Sequence, residues 1–248
     1  MIEFIKQPNL PDKKISLAAL SCNFSGIIAA LNNFSIKTIK IYNNQKLDGG
    51  VRSHADMNIL HLGENKIIAN REQGEAVKQL KSFGFEIIYP DNIIKKDYPD
   101  NVALNSVIIN DKVICKYNNT EKKLKEFITK KNYRVIDVKQ GYSKCSVCIV
   151  NENSIITSDE SIKSKAVEAG LNVLKISSGY IKLPGYDYGF IGGCSGFIDK
   201  NKLAFTGNVF FHPDGKRIAD FCNNLNVEII CLSDDLLVDV GSIIPLAY

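Results

Sequence analysis

Four stretches of this 248-residue sequence repeat one pattern: an apolar strand, a polar turn and a second apolar strand. When the turns are aligned on Lys66, Lys112, Ser154 and Lys202, the spacings are 46, 42 and 48 residues. Self-similarity at a fixed period of about 20–50 residues is typical of repeat architectures, in which one supersecondary unit is used several times. Each unit then buries its apolar face against its neighbours, so the repeat constrains the fold more than any other feature.

Each repeat continues into a predicted helix and a returning strand. Helical spacing is found over residues 72–83, 120–130, 158–169 and 213–224. Apolar strands follow over residues 85–89, 133–138, 171–176 and 227–232. Gly84 and Gly170 suit the position just after a helix, and Thr120 and Ser158 are predicted N-caps. The repeating unit is therefore ββαβ.

A fifth unit is predicted from the two ends of the chain. Residues 240–246 supply its first strand, and residues 15–20, 25–32 and 36–41 supply a strand, a helix and a strand. We expect an α/β fold in which five ββαβ units form a propeller-like ring, closed by the N- and C-terminal segments. It would form one domain over residues 1–248, with units at about 51–98, 99–139, 140–185, 186–237, and 238–248 plus 15–50. The alternative is a doubly wound sheet, which fits less well because paired strands precede each helix and no Gly-x-Gly-x-x-Gly follows a strand.

Composition narrows the class of protein. The 31 basic and 27 acidic residues leave a net charge of +4, and the lysines are scattered rather than clustered, so no nucleic-acid surface is expected. The apolar runs are too short to cross a bilayer, and the N-terminus lacks the apolar core of a signal peptide. Seven cysteines without a regular framework indicate reduced thiols in a cytoplasmic protein.

Three short motifs resemble the pentein superfamily of guanidino-group-modifying proteins. They are Ser53-His54-Ala55-Asp56, Gly141-Tyr142-Ser143-Lys144-Cys145-Ser146-Val147 and Gly192-Gly193-Cys194. This superfamily includes arginine and agmatine deiminases, amidinotransferases, dimethylarginine dimethylaminohydrolases and a non-catalytic ribosome anti-association factor. Penteins are five-unit ββαβ rings with a site at the central axis. The cyclic order of the three motifs matches theirs from a different starting point, so the resemblance implies a circular permutation, which adjacent termini permit.

The resemblance implies site residues. His54 would be the general acid and base, Asp56 would bind a guanidinium, and Cys145 would be the nucleophile. Asp100 occupies the position of His54 in the second repeat and could add a carboxylate, or it could be a turn residue after Pro99. Cys145 could equally be a small buried apolar residue.

Two positions depart from the pentein pattern. Cys194 stands where the family has the Asp of Gly-Gly-Asp. The chain that carries His54 and Asp56 is expected to be extended, and so is the chain around Cys145. Counted from the shared turns, Lys144 rather than Cys145 occupies the position of Asp56, so Cys145 would reach the ring axis only if a bulge intervened. Lys144 could lower the pKa of the Cys145 thiol, or it could face the axis itself and favour an anionic ligand.

Two functions follow from this pattern. The first is a Cys/His-dependent hydrolase, amidinohydrolase- or deiminase-like, acting on a small guanidine or amidine that binds at the ring axis. The second is a non-catalytic pentein that binds a small ligand or a protein. No cofactor is expected. A metal is not expected either, because Cys145-Ser-Val-Cys148 lacks a second pair of ligands.

Overall fold

The computed structural model describes residues 2–91 and 94–248. Within these residues, 15 strands form five three-stranded sheets. The strands are β1 Leu17–Ser21, β2 Lys37–Ile41, β3 Ile59–His61, β4 Lys66–Ala69, β5 Glu86–Ile88, β6 Val107–Ile109, β7 Lys112–Cys115, β8 Arg134–Asp137, β9 Val147–Asn151, β10 Ser154–Thr157, β11 Asn172–Lys175, β12 Ser195–Asp199, β13 Lys202–Phe205, β14 Glu228–Cys231 and β15 Ile244–Ala247. The helices are α1 Ser25–Asn33, α2 Ala55–Asn58, α3 Gly74–Ser82, α4 Lys122–Lys131, α5 Ser143–Ser146, α6 Glu160–Glu168 and α7 Gly215–Asn224. Short 3₁₀ turns span Tyr117–Asn119 and Val209–Phe211.

All five sheets have the same construction. A central strand pairs antiparallel with one neighbour and parallel with the other, and a helix makes the parallel crossover. In the fifth sheet the central β1 pairs antiparallel with β15 and parallel with β2, so the two chain ends share one unit. The predicted ring of five ββαβ units, with its fifth unit closed by both termini, is confirmed. The doubly wound alternative is wrong, because each sheet ends after three strands.

The apolar core lies between neighbouring units as well as within them. One cluster joins Leu17 and Ile39 of the fifth unit to Ile67 and Leu80 of the next. Another joins Ile156 of the third unit to Phe205 of the fourth. A single three-stranded unit could not bury these faces alone, and closing the ring buries all of them.

The helix ends follow local chemistry with two corrections. Gly84 and Gly170 have φ of +93° and +87°, as a residue after a helix C-terminus requires, and both predictions are confirmed. The predicted N-caps are wrong by one residue: Glu121 and Asp159, rather than the preceding Thr120 and Ser158, accept hydrogen bonds from the first-turn amides. None of the helices in the described part of the chain is long and apolar enough to span a bilayer.

Two one-turn helices replace predicted extended chain. The segment carrying His54 and Asp56 was expected to be a strand, but α2 begins at Ala55, and the side-chain amide of Asn58 donates to the His54 carbonyl at 2.9 Å. Helix α5 replaces the strand expected around Cys145. Its first amides, Lys144 N and Cys145 N, donate to the Asn105 side-chain oxygen at 2.7 and 3.2 Å. A side chain thus satisfies amides that a helix N-terminus leaves free.

These two helices enter the centre of the ring, where segments of four units meet. We call segments 54–58, 143–146, 191–194 and 239–242 the hub. Backbone hydrogen bonds join them: Gly193 N donates to Cys145 O at 2.9 Å, Val240 N to Gly193 O at 3.0 Å and Asp56 N to Gly241 O at 3.1 Å. The hub brings together buried titratable side chains from three of these segments: His54, Asp56, Lys144, Cys145 and Asp239.

Candidate active site

His54 lies buried at the hub, immediately before α2. Its main chain is held by a hydrogen bond from His54 N to Val51 O at 3.0 Å. Its side chain packs against Gly241, where φ is +76° and an added Cβ would lie 2.3 Å from the His54 Cβ. Both ring nitrogens lack a hydrogen-bond partner among the described residues. The imidazole is therefore positioned by packing rather than by a hydrogen bond to either nitrogen.

Asp56 belongs to a buried chain of polar groups behind His54. Ser242 Oγ donates to Asp56 Oδ2 at 2.7 Å, and Lys144 Nζ donates to Ser242 Oγ at 3.0 Å. The second oxygen, Asp56 Oδ1, has no partner within the described chain. Lys144 therefore faces the hub, and its charge is directed at Asp56 rather than at a ligand.

Cys145 lies beside these two residues because α5 is helical. Successive residues of a helix are turned by about 100°, so Lys144 and Cys145 can both reach the hub without a strand bulge. The Asn105 amide donates to Cys145 Sγ at 3.1 Å. One ligand atom each from His54, Asp56 and Cys145 lie within 4.8 Å of one another. The structure thus brings together the three residues that the sequence motifs singled out.

A fourth group, Asp239, was missed by the sequence analysis. Its Oδ1 lies 3.7 Å from His54 Nδ1, and its two oxygens accept hydrogen bonds from Phe190 N at 2.9 Å and Gly241 N at 3.0 Å. A Cβ added to Gly193 would lie 1.9 Å from Asp239 Oδ1. The carboxylate therefore occupies the space that a side chain at Gly193 would fill.

Sequence signals for the missed residues were weak. Asp239 is an acid between Val238 and Val240, two residues before Gly241. An acid within an apolar run is rarely buried unless it has partners, and that was the only signal at this position. Asn105 and Ser242 carry no comparable signal, because each becomes informative only through its partners in other units.

The side chains of two predicted site residues do not join this group. Asp100 lies on an exposed turn, where its carboxylate pairs with Lys95 at 2.8 Å. Its position matches that of His54 in the repeat, but the chain before β6 is a turn rather than a one-turn helix. Cys194 is fully buried in the apolar core, and its Sγ lies 3.2 Å from Ile191 O. Cys194 does not line the pocket described next, because its side chain points into the core.

A pocket of about 230 Å³ opens onto the hub. Its deep end is lined by His54, Cys145 and Asp239, which are buried. Its walls are apolar and aromatic: Val51, Tyr142, Leu183, Tyr186, Tyr188 and Phe190, with Asp187 at the exposed rim. A ligand in this pocket would meet the thiol, the imidazole and a carboxylate at its buried end.

Burial sets the protonation states of these groups. It raises the pKa of the Cys145 thiol well above its ordinary value, and the charges of Asp56 and Asp239 raise it further. Lys144, which the sequence suggested as a group that could lower this pKa, does not offset these effects. Burial also lowers the pKa of His54, with Asp56 opposing the shift. At neutral pH the resting site holds a thiol beside a neutral imidazole.

Burial raises the pKa of both carboxyl groups. That of Asp239 reaches about 6, because the amides of Phe190 and Gly241 and the charge of Lys144 oppose the effect only in part. The pKa of Asp56 is also raised, chiefly by burial, while His54 opposes the shift. Buried carboxylates that lack a full set of partners attract a cation.

A metal ion is a further occupant that the donor set suggests. His54, Asp56 and Cys145 offer a nitrogen, an oxygen and a sulfur, which suit zinc. A tetrahedral zinc site with bonds of about 2.0–2.3 Å needs donors about 3.3–3.8 Å apart, so atoms spread over 4.8 Å would have to move closer. That the protein uses no metal stays a prediction.

Comparison with known proteins adds family and fold. The family described as "Family of unknown function (DUF6873)" matches residues 21–244. The chain belongs to DUF6873. No curated protein is similar to this DUF6873 member in sequence.

Solved structures resemble the DUF6873 chain over almost its whole length. Agmatine deiminase of C. jejuni, in a variant with substrate bound, has a TM-score of 0.57 at 14% identity, covering 93% of this chain and 90% of that one. An amidinotransferase of the saxitoxin biosynthetic pathway from Microseira wollei has a TM-score of 0.56 at 9% identity, covering 92% and 91%. DDAH from Pseudomonas aeruginosa, in a variant complexed with citrulline, has a TM-score of 0.55 at 11% identity, covering 90% and 92%. This DUF6873 protein has the pentein fold, as the motifs predicted.

Proposed function

We propose that this protein hydrolyses a carbon–nitrogen bond of a small guanidine or amidine, with Cys145 as nucleophile and His54 as general acid and base. One observation carries the proposal: the Cys145 thiol, an imidazole without a hydrogen-bond partner and the Asp239 carboxylate line the buried end of one pocket, and an Asp56 oxygen lies within 4.8 Å of the first two. A thiol, an imidazole and carboxylates together suit an electrophile that is a planar carbon centre with a positive charge. The proposal is also supported by the fold that this chain shares with agmatine deiminase, an amidinotransferase and DDAH.

The reaction begins with substrate-assisted activation of Cys145. Its pKa is raised in the empty site, and a bound cation lowers it by neutralising the nearby carboxylates. The thiol proton passes to His54, and the sulfur forms a bond to the amidinium carbon. His54 returns the proton to the leaving nitrogen, the carbon–nitrogen bond breaks, and ammonia or an amine departs.

Water completes the cycle. His54 takes a proton from water as the oxygen attacks the carbon of the covalent adduct. The carbon–sulfur bond then breaks and the thiol re-forms with the proton that His54 held. An amidine thus yields an amide and ammonia, and a guanidine yields a urea and an amine or ammonia. Each step is a proton transfer or an addition–elimination, so the reaction needs no redox cofactor.

Asp239 and Asp56 bind and orient the cation. Asp239 lines the pocket and is held by two backbone amides, so its position is fixed before substrate arrives. Asp56 presents its unpartnered Oδ1 near Cys145, while its other oxygen is held by Ser242. Preorganised groups of this kind reduce the reorganisation that binding requires.

A second candidate is a non-catalytic pentein that binds a small cationic ligand. The observation that favours it is the raised pKa of the Cys145 thiol, which opposes nucleophilic attack in the resting state. Binding without turnover would use the same carboxylates and the same pocket.

We propose a cytoplasmic protein whose partner is a small molecule rather than nucleic acid or membrane. All seven cysteines are free thiols, including exposed Cys231, and reduced cysteines are typical of the cytoplasm. The charged side chains form scattered ion pairs across the surface.

The test compares 2-chloroacetamidine with its neutral analogue 2-chloroacetamide, using mass spectrometry to locate the modified cysteine. We expect the cationic reagent to alkylate Cys145 about tenfold faster or more, since ~1.4 kcal/mol of charge attraction gives that factor. His54→Gln should slow this labelling, and Cys145→Ala should abolish it. Cys231→Ser is the control variant, because that exposed thiol is remote from the pocket lining.

Turnover is measured as ammonia or amine release from a panel of guanidines and amidines, with Cys145→Ala as the blank. Release that depends on Cys145 and survives EDTA treatment supports the hydrolase. Uniform, slow labelling of all seven cysteines contradicts it. Selective Cys145 labelling without release from any substrate favours the non-catalytic candidate.

A further inference from the structure

The pocket wall has a composition that restricts the substrate beyond its cationic head. Four aromatic residues, Tyr142, Tyr186, Tyr188 and Phe190, form the path from the mouth to the buried carboxylates. The charged residues on this path besides His54 are acids, Asp187 and Asp239. Among the described residues, no lysine or arginine lines the pocket.

An amino-acid substrate does not suit this wall. Its carboxylate would need a cation or several hydrogen-bond donors once it left water. The aromatic wall supplies few such donors, and the Tyr186 hydroxyl is already donated to Asp48. The Tyr142 hydroxyl accepts from the Asn101 amide at 2.8 Å, which leaves it a single O–H to donate, fewer donors than a buried carboxylate needs. Asp187 at the rim would repel a substrate carboxylate.

The aromatic rings are arranged as a fixed surface. Tyr142 stacks on Phe190 with centroids 6.3 Å apart and an angle of 25°, and it also stacks with Tyr98 at 5.8 Å. Tyr188 meets Phe190 edge-on at 6.0 Å. Ring faces attract cations and stack with flat apolar groups. This surface therefore suits a planar cation that continues into an apolar or aromatic substituent.

Tyr186 forms the outer wall through a contact that requires glycine. A Cβ at Gly50 would lie 2.4 Å from the Tyr186 ring and 2.6 Å from Pro184 O. The hydrogen bond from its hydroxyl to Asp48 then fixes the ring over the mouth. The cavity of about 230 Å³ is below the ~300–1,000 Å³ range of drug-sized sites, so the ligand must be small.

We propose that the natural substrate class is a small amidine or guanidine bearing an uncharged apolar or aromatic substituent and no carboxylate. This rests on the proposed function, because it concerns the same pocket. Asp239 and Asp56 hold the cationic head, and the Tyr142–Phe190 surface holds the substituent.

Matched ligand pairs test the proposal by calorimetry on the Cys145→Ala variant, in which no turnover occurs. The pairs are benzamidine with 4-amidinobenzoate and phenylguanidine with 4-guanidinobenzoate, which differ by one carboxylate. We expect the uncharged-tail member to bind about tenfold tighter or more in each pair, and arginine to bind more weakly than either.

Variants of the wall give an independent measurement. Phe190→Leu and Tyr142→Leu should each weaken benzamidine binding about fivefold, because they remove a ring face while keeping an apolar side chain. Phe211→Leu makes the same type of change at an exposed ring outside the pocket and should leave binding unchanged.

Equal or tighter binding of the carboxylate member, or of arginine, would overturn the inference. The proposed function would still stand if 2-chloroacetamidine labelled Cys145 in a His54-dependent way. If no ligand binds and labelling is unselective, both fail together.

Discussion

At the residue scale, Asp239 supplies a carboxylate that the motifs seemed to lack. Cys194 replaces the acid expected after two glycines, and its side chain packs in the core. Asp239 comes from another segment and places its carboxylate against Gly193. The space left by a missing side chain is thus filled by an acid from 46 residues further along the chain (193 to 239).

The pKa of Asp239 predicts a pH dependence for ligand binding. Because its pKa is raised to about 6, the group is neutral below that pH and a carboxylate above it. We expect the affinity for benzamidine to rise as pH increases from 5 to 7, by about tenfold for one charge contact. Protonation of His54 towards the acid end of the range acts in the same direction, and burial, which lowers its pKa, confines that charge to lower pH.

The measurement is the dissociation constant of benzamidine, by calorimetry, between pH 5 and pH 8. Asp239→Asn should bind weakly across the range and flatten the step near pH 6. Asp187→Asn, at the exposed rim, is the matched control and should keep the step. An unchanged pH profile in Asp239→Asn would show that another group sets it.

At the element scale, the hub depends on chain segments that approach without side chains between them. A Cβ at Gly192 would lie 2.3 Å from both Lys144 O and Val147 O. These are backbone atoms of α5 and β9, which cannot move aside as a flexible side chain can. Gly192 therefore lets the fourth unit pack directly against the helix that carries Cys145.

We expect Gly192→Ala to destabilise the protein strongly. Overpacking a tight interior costs about 1–3 kcal/mol, and more where backbone must shift. The melting temperature should fall by about 5 °C or more, since each kcal/mol changes it by about 2–4 °C in a chain of this size. Gly26→Ala, in α1 with nothing within 4 Å of the added Cβ, should change it little. Similar melting temperatures for both variants would contradict the close approach at the hub.

At the scale of the whole molecule, the termini complete the ring. β15 pairs with β1, Phe4 bridges to Ala247, and Tyr248 N donates to Glu3 O at 2.9 Å. The buried residues of β15 include Ile244 and Leu246, which pack with the first and fifth units. Both ends of the chain are therefore structural parts of one unit.

This closure predicts tolerance of a new chain start. A circular permutant that joins the termini by a short Gly/Ser linker and opens between Glu152 and Asn153 cuts an exposed turn. Its free energy of unfolding should stay within about 2 kcal/mol of the parent, because no buried hydrogen bond is removed. Deleting residues 244–248 should instead abolish cooperative unfolding, as measured by circular dichroism. A truncated chain that melts like the parent would contradict the role of β15. The motifs follow the cyclic order of the pentein enzymes from a different starting point, which implies a circular permutation. That permutation stays a prediction.

The sequence by itself determined the units and their number. Strand pairs such as β3–β4 and β9–β10 form across turns of a few residues. Their positions can therefore be predicted from the apolar and polar residues of a short stretch of sequence. Short motifs that resemble the pentein superfamily pointed to His54, Asp56 and Cys145, each just before such a pair. The local pattern has limits. It misjudged the short helices α2 and α5, because Asn58 and Asn105 stabilise them through side-chain hydrogen bonds that no periodicity records.

Only the tertiary structure decided how the site is assembled. Ser242 reaches Asp56 across 186 residues of chain, Lys144 reaches Ser242 across 98, and Asn105 reaches Cys145 across 40. Those contacts exist because five units close into a ring and bring distant segments to one centre. Closure also withdraws Cys145 and Asp239 from water, which sets their pKa values. Burial and long-range contact are properties of the closed ring, so a linear pattern of residues does not contain them.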